Sequence, residues 1–275
     1  MAYTQLIPQH TPGARVDEIS RGEAYRLSIP AGPADKYRLA QIYDYAKLSR
    51  SQFALRAPLR LSLAARTSSK SIPGTWGFGV WNDPFGLSFG FGGNPWRLPA
   101  LPNAAWFFGA SNENYLSFRE TGREDLAPTV AANGFLAQTF RSPRFHPLLI
   151  PAGLALPFSR KLTRRLLGRV IGEDGINLSS RRSLAPSGAL ENARYTELDI
   201  TRWHRYSLDW RAERVSFEVD DVRAFESPVS PNPPLGLVIW IDNQYAAFTP
   251  EGKIGFGVLE NPEPAWLEVK DIDVS

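Results

Sequence analysis

Across residues 203–220 apolar and polar side chains alternate with a period of two, and that pattern leaves a chain few ways to fold. His204, Tyr206, Leu208 and Trp210 alternate with Arg205, Ser207 and Asp209. Val215, Phe217 and Val219 then alternate with Ser216 and Glu218. Successive side chains of a strand point to opposite faces, so each run reads as a strand with one face in a core. Asp220-Asp221 reads as a tight turn into residues 222–225. Residues 235–241 are apolar almost throughout, as in a strand covered on both faces. Strands joined by short polar links predict antiparallel sheet. The predicted core is Tyr206, Leu208, Trp210, Phe217 and the apolar part of 235–241.

The string Trp203-His204-x-Tyr206-x-Leu208-x-Trp210, followed by Val215-Ser216-Phe217-x-Val219-Asp220, resembles the late strands of concanavalin A-like lectins and glucanases. The laminarinase- and lichenase-type endoglucanases are the nearest in flavour. The resemblance covers residues 203–275 clearly and 74–118 more loosely. It implies an all-β fold, a two-sheet antiparallel jelly-roll sandwich with a concave sugar-binding sheet.

Length and composition agree with that class. A chain of 275 residues suits a single sandwich domain over 1–275. Its 23 prolines and 22 glycines suit a turn-rich β protein. A net charge of +3 is too small a bias to argue for nucleic acid as a partner. The absence of cysteine excludes disulfides and thiolate metal sites. The first residues carry no apolar signal-peptide core, and no apolar run approaches the ~20 residues of a spanning helix. As written the chain reads as cytoplasmic, or as secreted if an export signal was trimmed.

Further strands are expected over 24–30, 37–45, 53–63, 74–81, 104–118, 134–145, 253–259 and 266–274, with residues 1–20 as a lead-in. Tyr37, Leu39, Gln41, Tyr43 and Tyr45 should share one face. Pro58 within 53–63 suggests an edge or a bulge. A loop and helix insertion is expected at about 146–202, with 171–202 looped. Its helix, near 158–170, has Leu162, Leu166 and Val170 on one stripe and Arg160, Lys161, Arg164, Arg165 and Arg169 around it. It reads as a helix laid on the sandwich with snorkelling arginines; membrane-surface contact is the rival reading.

Retaining glycoside hydrolysis needs two carboxyl groups about 5–5.5 Å apart. The glucanases that this chain resembles carry theirs on one strand, as Glu-x-Asp-x-Glu or Glu-x-Asp-x-x-Glu. No such string is present. The matching strand, 104–110, holds no acid, and the nearest string, Glu197-Leu198-Asp199-Ile200-Thr201-Arg202, ends in arginine. The resemblance therefore carries over no catalytic residue. The best candidate acids are Glu113, Asp83 and Asp242.

What remains is three polar and aromatic clusters at predicted strand ends: Trp81-Asn82-Asp83, Asn112-Glu113-Asn114-Tyr115, and Trp240-Ile241-Asp242-Asn243-Gln244-Tyr245. Aromatic faces stack on rings, and amide or carboxyl groups bond vicinal hydroxyls. Glycines 77 and 79 on one face of the 74–81 strand leave room for something flat. The ligand-binding set predicted from sequence is Trp81, Asn82, Asp83, Asn112, Glu113, Tyr115, Trp240, Asp242 and Gln244. The alternative for each is structural: core tryptophans, and Asn or Asp in turns. No cofactor or metal ligand set is expected. A structural calcium is disfavoured, because Lys270 stands where the resembled family has an aspartate. The function expected is non-hydrolytic binding of a carbohydrate or other ring ligand. The alternative is an enzyme on the same scaffold: a glycosidase or lyase with relocated acids, or a catalyst for an apolar small molecule.

Overall fold

The computed structural model describes residues 6–84, 100–115, 133–143, 166–167, 169–179, 182–183, 198–248 and 254–275. Along the chain the strands are β1 (Ile7–His10), β2 (Arg15–Ser20), β3 (Ala24–Ile29), β4 (Leu39–Tyr43), β5 (Leu59–Thr67), β6 (Thr75–Trp81), β7 (Ala104–Ala110), β8 (Gly134–Arg141) and β9 (Gly172–Asn177). They continue as β10 (Arg182–Ser183), β11 (His204–Trp210), β12 (Val215–Val219), β13 (Val222–Ser227), β14 (Gly236–Asp242), β15 (Gln244–Phe248), β16 (Ile254–Val258) and β17 (Ala265–Val274). A 3₁₀ turn occupies Arg50–Gln52.

Eight strands form one antiparallel sheet in the order β1-β4-β14-β6-β7-β8-β9-β10. Seven form the other, β13-β12-β11-β5-β17-β3-β2, and β15 and β16 make a separate hairpin. The chain crosses between the large sheets repeatedly: β3 to β4, β4 to β5, β5 to β6, and β13 to β14. Such crossing is what wraps a chain into a jelly roll rather than a meander, and the fold is a jelly-roll sandwich.

The alternation read from sequence sets the registers. Tyr206, Leu208 and Trp210 of β11 pair with Leu63, Leu61 and Leu59 of β5 on one side and with Val219, Phe217 and Val215 of β12 on the other. All nine side chains are buried between the sheets, against Phe78, Phe107 and Ile239 of the larger sheet. The predicted core is the observed one except for Val238 and Trp240, which pack in a second cluster on the outer face of the larger sheet. Trp210 is fully buried and its indole Nε1–H donates to Ser230 Oγ at 3.1 Å. A buried indole needs such a partner.

Several segments differ from expectation. Residues 7–10 and 15–20 are edge strands rather than a lead-in: β1 pairs with β4, and β2 with β3. Pro58 lies just before β5, which runs in the middle of its sheet, so it marks neither an edge nor a bulge. The stretch 171–202 is not all loop. Gly172–Asn177 is β9, a strand between β8 and β10. Of the basic helix, residues 166, 167, 169 and 170 are helical, and the rest of 158–170 lies outside the described residues. So do 116–118 and 144–145 of the expected strands, and much of 146–202.

Candidate functional site

The outer face of the eight-stranded sheet carries a second apolar layer. Leu39, Trp106, Phe108, Leu136, Phe140, Val238 and Trp240 are buried there with Tyr45, Phe53 and Ile171. Register places these side chains in rows. One row runs Gln41, Trp240, Gly77, Phe108, Leu136, Asn177, and the next Tyr43, Val238, Gly79, Trp106, Gln138, Gly175. The third holds Trp81, Ala104, Phe140 and Glu173.

Aromatic rings fill the middle of this face. A methyl added at Gly77 would lie 2.7 Å from the Trp240 ring and 2.4 Å from the Phe107 carbonyl oxygen. The room left by this glycine is therefore taken by Trp240. The Trp240 and Trp81 indoles stack with centroids 5.9 Å apart, and Trp106 lies 6.0 Å from Trp81 and 5.9 Å from Trp240. Trp240 is 6% exposed, whereas Trp81 is half-buried. The Trp240 Nε1–H donates to Thr75 Oγ1 at 2.9 Å, and the Trp81 Nε1–H donates to the Tyr45 hydroxyl.

The three predicted clusters divide between two ends of this sheet. Thr75 pairs with Asp242 and Ala110; Trp81, six residues on, pairs with Gly236 and Ala104. At about 3.4 Å per residue that separates them by ~20 Å. Asp242, Gln244, Asn112, Glu113 and Tyr115 gather at the Thr75 end, and Trp81, Asn82 and Asp83 at the other.

At the Thr75 end the polar groups hold the fold together. Asp242 Oδ1 accepts from the Thr75 N–H at 3.2 Å, Thr75 Oγ1 at 2.8 Å and the Gln244 N–H at 3.1 Å; Oδ2 accepts from Tyr37 OH at 3.2 Å. Burial raises its pKa to about 6 despite those donors, and burial beside Asp242 holds the Tyr37 phenol well above its usual range. Asn114 is buried and ties Gly74 to Ala246. Its neighbours Asn112 and Glu113 are exposed in the turn after β7, and Tyr115 is half-buried, bridged to Ala247.

A cavity of about 630 Å³ is lined by Arg50, Asn82, Leu101, Asn103, Asn232 and Pro234, among others. Leu101 also packs on the outer aromatic cluster, as Trp81 does. Asn82 bonds Leu101 O and the Asn103 N–H at 2.9 and 3.0 Å. Asn103 in turn holds Ser142 and Asn232. Arg50 donates from Nε to Asn82 O at 2.7 Å and from Nη2 to Asp83 O at 2.5 Å. Asp83 has a positive φ of 49°, as a turn requires. Three asparagines thus line the cavity, and the half-buried Trp81 precedes one of them in the chain. Sequence reasoning missed Arg50, Asn103 and Asn232. Nothing local marks them, because three distant segments meet only in the fold.

Two further acids escaped the sequence reading. Glu173 of β9 is buried and accepts from Gln138 Nε2 at 3.2 Å. Asp44, just after β4, is buried, accepts from the Leu237 N–H at 2.8 Å, and has its pKa raised to about 6 by desolvation. Among the described strand residues the outer face carries two carboxylates, Asp242 and Glu173. They lie on β14 and β9, four strand spacings (~19 Å) apart across the sheet, and at opposite ends of it, Asp242 in the Thr75 row and Glu173 in the Trp81 row. Asp83, beyond β6, is three spacings from β9, ~14 Å. Glycosidase acids stand about 5–9.5 Å apart. Among the described residues no group of three or more His, Asp or Glu side chains gathers to hold a metal ion.

No family model matches the chain, and no curated protein does. Solved structures resemble it in fold at very low identity. A Bacillus licheniformis β-glucanase is 12% identical, with 98% of this chain and 92% of that one covered, at a TM-score of 0.44. A family 16 endo-glucanase from Bacteroides ovatus is 11% identical, with 99% and 96% covered and a TM-score of 0.42. A legume lectin-like domain from Entamoeba histolytica is 8% identical, with 98% and 89% covered and a TM-score of 0.43. These likenesses carry no argument about chemistry, which rests on the residues above.

Proposed function

We infer that the chain is a non-hydrolytic binding protein for a ring-containing ligand, in the first place a carbohydrate. The ligand seats at the Trp81 end of the eight-stranded sheet. The observation that carries this reading is the 630 Å³ cavity lined by Asn82, the residue that follows the half-buried Trp81. Its lining joins amides and a guanidinium to an apolar wall, the mixture that orients a polyhydroxylated ring. In this reading the Trp81 indole is the platform, backed by Trp240 and Trp106. Asn82 and Asp83 lie at the rim, and Arg50, Asn103 and Asn232 shape the wall.

The absence of a close carboxylate pair among the described strand residues supports binding without hydrolysis. The enzyme alternative has less support: Asp242, the acid at the far end, already receives four hydrogen bonds. A glycan array followed by calorimetry on the best ligand tests the reading. Trp81→Ala should weaken binding at least tenfold, and it should also lower the denaturation midpoint, because the indole stacks on Trp240 and packs against Trp106. Trp81→Phe should retain most of the affinity. Binding to no glycan, or equal binding by wild type and Trp81→Ala, would sink the reading.

A further inference from the structure

Asn82, Asn103 and Asn232 line the cavity at the Trp81 end of the sheet. A carboxamide carries two N–H donors and an oxygen with two lone pairs, so its bonds can be counted one by one. Asn103 Oδ1 accepts from the Ser142 N–H at 3.0 Å and the Asn232 N–H at 2.9 Å, and Asn103 Nδ2 donates to Ser142 O at 2.9 Å. Asn82 Oδ1 accepts from the Asn103 N–H at 3.0 Å, and Asn82 Nδ2 donates to Leu101 O at 2.9 Å. Asn232 Nδ2 donates to Ser142 O at 2.9 Å, but Asn232 Oδ1 has no hydrogen-bond partner among the described residues. Of these three carboxamide oxygens it alone receives no donor.

The chain holds this side chain in place. Asn232 lies between Pro231 and the pair Pro233-Pro234, whose rings fix φ. Its backbone N–H goes to Asn103 and its amide nitrogen to Ser142, so the residue is tied at two points and its oxygen is left over. Asn232 is half-buried, and a new bond to that oxygen freezes little further side-chain motion. Arg50 is the one cation among the described lining residues, and it donates to the backbone oxygens of Asn82 and Asp83. No carboxylate is among those lining residues. A neutral carbonyl acceptor in this setting suits an O–H donor, which a hydroxyl supplies and a carboxylate or sulfate does not.

We propose, resting on the binding function inferred above, that Asn232 is the specificity-determining residue of this cavity. Its Oδ1 accepts a hydrogen bond from one hydroxyl of a neutral saccharide, and Asn103 is the positioning residue that holds it there. A site built to bond a hydroxyl rejects the analogue that lacks it, because the acceptor is then covered without receiving a donor.

The test uses the full chain and the methyl glycosides of glucose, galactose, mannose and xylose, titrated by nuclear magnetic resonance. The tightest binder of the four is then compared with its monodeoxy analogues, on the wild type and on Asn232→Ala. On the wild type, one monodeoxy analogue should bind at least fivefold more weakly than the parent glycoside. Asn232→Ala should bind the parent at least fivefold more weakly than the wild type does, and should bind that analogue as well as it binds the parent. This loss of discrimination separates contact from support. If Asn232 only props the wall, its removal weakens the parent and every analogue by one factor and keeps the preference. Asn232→Asp keeps an accepting oxygen and gives up the bond to Ser142 O, so it should keep the preference even if Asn232→Ala folds poorly. Equal binding of the parent by wild type and Asn232→Ala, a preference that survives in Asn232→Ala, or a preference lost in Asn232→Asp would overturn the role of Asn232 and leave the binding function standing. Binding of none of the four glycosides would also overturn it, and the glycan array decides the binding function separately.

Discussion

Trp210 shows how much one residue carries. It is fully buried, closes the inner face of β11, and bonds Ser230. Trp210→Ala removes that burial, leaves a cavity and orphans the Ser230 contact, so it should cost about 3–5 kcal/mol. Chemical denaturation should show a midpoint shift of that size with unchanged slope. Asp44 is a residue the sequence did not mark: it falls within the strand expected over 37–45, between two tyrosines. Its burial raises the pKa to about 6, above its unfolded value near 3.9. The ionised form is therefore disfavoured in the fold. The stability linked to this group is fully present below about pH 4 and is lost as pH rises through about 6. Asp242, also raised to about 6, acts in the same sense. Melting temperature should thus rise as pH falls from 7 to 5, and Asp44→Asn should flatten part of that rise. A wild-type melting temperature that drops over this interval would contradict the assignment of both groups.

Among the elements, the β12–β13 hairpin and β9 mark the limits of what pattern reveals. The hairpin was legible from Asp220-Asp221, and both residues have positive φ, 51° and 61°. Glycine is the residue best suited to the second position of such a turn. Asp221→Gly should therefore be neutral or raise stability by up to about 1 kcal/mol. Asp220→Gly should lower it, because Asp220 accepts from the Arg205 N–H at 2.9 Å and bonds His204 at 2.7 Å. The comparison is two thermal melts. β9 was illegible. Gly172-Glu173-Asp174-Gly175 has no apolar alternation, yet Glu173 and Asp174 are buried, and Gln138 and Thr139 of β8 bond to them. Hydrogen bonding across the sheet, not hydrophobic period, makes it a strand. Gly77 in β6 was legible as a place of close approach, but not as the seat of Trp240. Gly77→Ala should cost about 1–3 kcal/mol, since the added carbon meets both the Trp240 ring and the β7 backbone. A circular-dichroism melt no lower than that of the wild type would show that the ring is free to move aside.

For the whole molecule, the two-sheet sandwich was readable because its inner faces are strictly alternating or wholly apolar. The proposed binding end was only partly readable. Trp81, Asn82 and Asp83 stood out by type, but their neighbours in the cavity come from residues 50, 100–103 and 232–234, and topology alone brings them together. Their partners in the sequence-based set, Asp242 and Gln244, lie ~20 Å away along β6. In the proposed function this end binds a ring ligand and does not cleave it. The most direct measurement is reducing-end release from the best-binding glycan, with laminarin and lichenan in parallel, at saturating ligand and prolonged incubation. Each 1.36 kcal/mol of lost transition-state stabilisation is about tenfold in rate, so an outer face whose described strand residues hold no close carboxylate pair should release nothing above the buffer blank. Reducing ends that accumulate with protein concentration, and that disappear in Asp83→Asn or Glu113→Gln, would contradict it.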